Sequence, residues 1–164
     1  MDNKIQLFKH FLAAIAYRTQ KAIKGAPPDF GSFRVSDKMR TPQELIRHMD
    51  SVLGYARTFF IGGKYRAPEF SSFEEVIHHF HEILEDLGRQ IESETEWKDI
   101  TPERLLQGPL SDAMTHAGQL AMLRRLHGSP VPPENFVFAD ISADNLGPDQ
   151  SPPVSPDKEW PERG

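Results

Sequence analysis

The chain has no cysteine. That absence excludes disulfides, thiolate ligands and a nucleophilic thiol of the protein's own. Any metal must then be held by His, Asp or Glu, and any thiol chemistry must use a thiol brought from outside. Also missing is any run of Lys and Arg: with 19 basic residues against 24 acidic ones and a net charge of −5, no basic face for phosphates is expected, and nucleic acid is not an expected partner. No segment reaches the roughly 18–20 unbroken apolar residues of a membrane helix. The first residues, MDNKIQLFKH, carry neither an apolar signal region nor a cleavage site, so the expectation is a cytoplasmic protein with no membrane partner. Internal repeats, glycine-rich dinucleotide or phosphate loops and a GxSxG turn are absent too, which leaves dinucleotide, nucleoside-triphosphate and serine-hydrolase readings without support.

Apolar residues are scarce overall, at 38% with a mean hydropathy of −0.53. Much of the polarity lies in a proline-rich final stretch, so the first two thirds can still build a core, and 164 residues suit one domain. Residues 1–129 are expected to form a four-helix bundle, and 130–164 an extended tail belonging to the same domain. Ile5, Phe8, Phe11, Leu12, Ile15, Thr19, Ala22 and Ile23 recur with helical spacing and predict a first helix over 4–24, ended by Gly25. The segment 25–41 has glycine and proline but no periodicity, and reads as a long loop that contributes to a pocket. Thr41-Pro42-Gln43-Glu44 is a helix start, with Thr as N-cap, Pro at the first helical position and Glu closing a capping box. The second helix runs from there to Ile61, where Gly62-Gly63 stop it, and His48 sits at the edge of its apolar stripe.

Ser71-Ser72 with Glu74-Glu75 predicts the start of a third helix, whose His78, His79 and His81 read as surface histidines. A further helix is expected after Thr101-Pro102, kinked or restarted at Gly108-Pro109, with the restart favoured because proline fits a first helical position. In GPLSDAMTHAGQLAMLRRLH, from Gly108 to His127, apolar residues occupy nearly every side, which predicts a helix buried all round. Arg124 and Arg125 are assigned to solvent or to tail carboxylates. The tail has Phe136, Val137, Phe138, Ile141, Leu146 and Trp160 as its natural anchors on the bundle.

Asp112 and His116 lie one helical turn apart and so share a face, where a carboxylate must bind a cation, pair with a base or meet water. With His48 from the second helix they make a set of two nitrogens and one oxygen. Such a set holds a metal and leaves a position open for water or substrate. The plainer alternatives are a hydrogen-bonded core histidine and an aspartate favoured by the positive end of the helix dipole. Gln119, one turn past His116, is a candidate to support that ligand or to contact substrate, with the capping of a buried polar group as the alternative. Tyr55, two turns past His48, is a candidate of the same kind, with core packing as the alternative.

A His in TPQELIRHM of the second helix and the run DAMTHAGQL in the last resemble the DinB/YfiT-like superfamily of metal-dependent four-helix bundles, over about residues 1–130. The resemblance implies a divalent metal, nickel or zinc foremost, held by His48, Asp112 and His116. The sequence departs from the family at Asp112, where His is commoner and mycothiol-dependent members carry Glu. The resemblance further implies a thiol S-transferase or isomerase acting on a small-molecule substrate, with bacillithiol or mycothiol as the thiol, and a homodimer. A metal-dependent hydrolase on the same site is the alternative mechanism. A non-catalytic, stress-associated dimeric binding protein is the alternative class.

Overall fold

The computed structural model describes residues 3–93, 97 and 99–154. Among these the fold is all-α, without a β-strand: α1 (Asn3–Ile23), α2 (Pro42–Ile61), α3 (Phe73–Ser93), a single turn α4 (Pro102–Leu105) and α5 (Ser111–Leu126). Each long helix packs on two others, since α1 and α2 both lie against α3 and against α5. Leu12, Ile15, Ile46, Met49, Leu53, Phe80, Leu84, Leu87, Leu110 and Leu120 fill the space between them with no exposed surface. No described helix is long and apolar enough to cross a membrane.

The helix ends follow from local chemistry. Thr41 accepts from the Glu44 amide at 3.2 Å and the Glu44 carboxylate accepts from the Thr41 amide at 2.7 Å, so two amides that the helix leaves unpaired are satisfied at once. Ser72 does the same for the Glu75 amide, and the Glu75 carboxylate reaches back to Ser71. Gly25 ends α1 with φ 67°, and Gly62 and Gly63 end α2 with φ 77° and 82°, a region that side chains with a Cβ rarely enter.

Between α4 and α5 the chain neither runs straight nor stops. Residues 106–110 form one wide turn in which Gly108 leaves helical geometry (φ −93°, ψ −105°) and Pro109 follows it, so a kink and a restart are combined. The Leu106 carbonyl accepts from the Ser111 amide across this wide turn and also from the Ser111 hydroxyl at 2.6 Å.

Two expectations need correction. Helix α5 is not buried all round: Asp112, Thr115, Gly118, Gln119, Met122 and Leu126 form an exposed face, because α5 meets α1 and α2 on one side only. Arg124 does not point to solvent or to a carboxylate. It is buried and donates to the Ala22 carbonyl at 3.0 Å, the Lys24 carbonyl at 3.3 Å and the Ser129 carbonyl at 2.9 Å, capping the C-terminal end of α1, where a cation also suits the helix dipole.

Beyond Gly128 the chain crosses α1 and α3. Glu134 is buried and accepts from the Tyr17 hydroxyl at 2.7 Å and Lys21 Nζ at 2.8 Å. Arg18 lies 3.8 Å above the Phe136 ring. Leu146 fills the notch left by Gly88 of α3, where a Cβ would stand 2.6 Å from Leu146 Cδ1. Ile141 packs partly against the core, whereas Val137 and Phe138 are exposed. The tight 3-10 turn Phe136–Phe138 fans three successive side chains apart, so only Phe136 meets Tyr17. Trp160 lies outside the described residues.

Candidate metal centre

Helix α2 presents His48, and helix α5, packed against it, presents Asp112 and His116 from successive turns. The three side chains converge. His116 Nε2 is 3.3 Å from one Asp112 oxygen, His48 Nε2 is 3.9 Å from the other, and one donor atom from each residue fits within a mutual spacing of 4.8 Å. Ligands about 2.0–2.2 Å from a tetrahedral ion stand roughly 3.3–3.6 Å apart, so the aspartate–histidine edge already has that size and the rest closes by small side-chain rotations. The two imidazoles meet edge to face with centroids 4.9 Å apart.

The tautomer of His116 is set from behind. Its Nδ1 donates to Gln119 Oε1 at 2.8 Å, which leaves the Nε2 lone pair aimed at Asp112. An unprotonated nitrogen and a carboxylate oxygen at that distance repel unless a proton or a metal ion lies between them. Burial lowers the His48 pKa first, and the nearby charges of Arg40 and His116 lower it further, against the opposing pull of Asp112. His48 is thereby kept in the neutral form that a ligand needs. Exposure rises across the group, from 10% of the His116 side chain through 33% of His48 to 47% of Asp112, so the cluster sits at the floor of an opening.

Two clefts meet at this floor. The larger, about 920 Å³, includes His48, Ser51 and Gln119 and is roofed by Arg34, Lys38 and Arg40 of the loop between α1 and α2, the segment expected to line a pocket. The smaller, about 470 Å³, lies on the other side of Asp112 against Val52, Tyr55, Gly108 and Pro109 and is more apolar. Ser51 belongs to both. Of the two supporting candidates, Gln119 bonds to the His116 ring, while Tyr55 does not bond to any of the three. Tyr55 is 55% exposed, neither packed in the core nor bonded to the three-residue group, and its ring lies edge-on to Phe59 on the wall of the smaller cleft.

The histidines of α3 lie apart from the centre and differ from one another. His78 is a surface residue, as expected. His81 is buried: its Nδ1 donates to the Leu146 carbonyl and its Nε2 accepts from Gln20, both at 2.7 Å. His79 donates to Asp50 at 2.5 Å, and Tyr65 donates to the other oxygen of the same carboxylate at 2.6 Å. Asp50 has no exposed surface, and burial, followed by its bond to Asp50, raises the Tyr65 pKa. The only sequence signal for this network is a carboxylate set among Ile46, Met49 and Leu53 on one helix face.

Comparison with protein-family models, with curated proteins and with solved structures yields no match.

Proposed function

We propose that this chain is a metal-dependent enzyme with a DinB/YfiT-like four-helix bundle. His48, Asp112 and His116 hold a divalent ion, nickel or zinc foremost, and a low-molecular-weight thiol is transferred to an electrophilic small molecule. The observation that carries the reading is the convergence of two imidazoles and one carboxylate beside open clefts, with the second nitrogen of His116 engaged by Gln119. Three donors fit an ion and leave a position for one more ligand, and imidazole with carboxylate suits zinc and nickel. A divalent ion there supplies Lewis acidity, which brings the pKa of a thiol or of water toward neutrality.

The chain's own part is to hold and orient. Gln119 fixes the His116 ring, and the kink at Gly108 lets α5 begin close enough to α2 for Asp112 to face His48. The absence of cysteine agrees with a thiol that arrives as a substrate. In the reaction the thiol gives up its proton to solvent through the open cleft. Its sulfur then forms a bond to the electrophilic carbon, and the leaving group departs with the electron pair of the bond it breaks. The half-exposed Asp112 leaves room for water as the alternative nucleophile, the hydrolase reading of the same residues.

Elemental analysis tests the site. The purified protein is expected to carry a divalent transition metal, and His48→Ala and His116→Ala to lose it. Equal metal content in all three overturns the assignment. Incubating the metal-loaded protein with an electrophile, with and without added thiol, then separates transferase from hydrolase.

A further inference from the structure

The larger cleft carries more positive charge than its structural pairs consume. Arg34, Lys38, Arg40 and Arg47 line it against Asp37 and Glu44. Arg34 is bonded to Glu44 at 3.1 Å, and Arg47 is held by Glu69 at 2.5 Å and by the Pro68 carbonyl at 2.8 Å. Lys38 and Arg40 make no ion pair among the described residues. Both belong to the loop that roofs the opening, and neither supports the fold, since neither side chain is buried or bonded. The chain is acidic overall, with a net charge of −5, so a local excess of cations at the mouth of this cleft is set against the general composition.

From this we infer that the cleft binds the carboxylate of a small organic substrate through Arg40 and Lys38, leaving the rest of that molecule to extend toward His48. The inference rests on the reading of His48, Asp112 and His116 as the reacting end of the cleft. Guanidinium offers a carboxylate two parallel donors, and the ammonium of Lys38 adds a mobile point charge beside it. Asp37 and Glu44 on the same walls limit the excess charge, which favours a carboxylate over a multiply charged phosphate. A volume of about 920 Å³ admits a molecule of metabolite size. Arg40 and His48 line the same cleft, which places the anion subsite and the donor group in one cavity.

The test has two arms. In the metal-free protein, calorimetric titration with succinate is expected to show binding that 1,4-butanediol does not, weakened about tenfold by Arg40→Gln and unchanged by Lys64→Gln, since one charge-assisted bond is worth about that factor. No succinate binding, binding indifferent to Arg40→Gln, or tighter binding of inorganic phosphate overturns the carboxylate subsite. In the second arm, the cobalt(II)-loaded protein is titrated with 3-mercaptopropionate and 2-mercaptoethanol while the sulfur-to-cobalt absorption is followed. The carboxylate thiol is expected to bind about tenfold tighter, and Arg40→Gln to erase the difference. Equal affinities in the wild type overturn the placement of the subsite beside the metal. A protein that takes up no cobalt refutes the metal reading, and the first arm still decides the carboxylate subsite.

Discussion

Gly54→Ala should destabilise the protein, although helix propensity predicts the opposite. In the middle of α2 an alanine is worth about 0.5–1 kcal/mol more than a glycine. At Gly54 the added Cβ would stand 2.1 Å from two ring carbons of Tyr65 and 2.7 Å from a third. Carbon atoms in contact need about 3.5 Å, so the ring must move by more than 1 Å or so. That movement breaks the 2.6 Å bond from the Tyr65 hydroxyl to Asp50, a carboxylate with no exposed surface that would keep only His79 as partner. A hydrogen bond to a buried charge is worth about 1.5–3 kcal/mol, and lost ring packing adds about 1 kcal/mol. Set against the propensity gain, the net loss is about 1.5–3.5 kcal/mol, or a fall in Tm of about 3–14 °C for a chain of this size. Urea and thermal denaturation measure it. In a Tyr65→Ala background the clash is gone, so there Gly54→Ala should stabilise by about 0.5–1 kcal/mol. A rise in wild-type stability on Gly54→Ala, or the same sign in both backgrounds, refutes the reasoning.

Two further outcomes follow from the packing of the tail. Burial, only partly offset by the bond to the Leu146 carbonyl, holds the His81 pKa below its ordinary value, with His78 adding to the depression. The unfolded chain then binds the extra proton first, so stability is full above about pH 6.5 and falls as pH drops below it. Urea midpoints measured from pH 8 to 5 should show this decline, and His81→Gln should remove a measurable part of it; an unchanged slope in the variant rejects His81 as its source. Ending the chain after Ser129 removes Glu134 from Tyr17 and Lys21 and empties the Leu146 seat on Gly88. One buried leucine and one orphaned buried hydroxyl together cost about 3–6 kcal/mol. Light scattering should show a mass reduced only by the missing residues; conversion of a dimer to a monomer would place the tail's main contacts on a second subunit.

The starts of α2 and α3 were legible in sequence because a capping box is closed by residues three or four apart, and the stops of α1 and α2 because glycine readily adopts the required φ. The juxtaposition of Asp112 and His116 was legible for a similar reason, as spacing along one helix fixes which side chains are neighbours. His81, Arg124 and Asp50 were not, since each is satisfied by a group from another part of the chain: the Leu146 carbonyl, the Ala22 carbonyl and the Tyr65 hydroxyl. Periodicity assigns a polar residue to an edge or a core but does not reveal which distant atom completes its valence. The open face of α5 escaped for the complementary reason. A helix apolar on all sides implies neighbours on all sides, and only the packing shows that Met122 and Leu126 are left more than half exposed.

Asp112, His116 and Gln119 all stand on α5 and move together, while His48 alone comes from α2. The span across the centre is therefore a measure of a single coordinate, the separation of two helices, and an ion held there would act as a rivet whose grip depends on that gap. By reciprocity, whatever draws α2 and α5 together would tighten the grip, and whatever levers them apart would loosen it by the same factor. The kinked turn at Gly108 directly precedes α5, so the gap is also bounded by where that turn lets the helix begin.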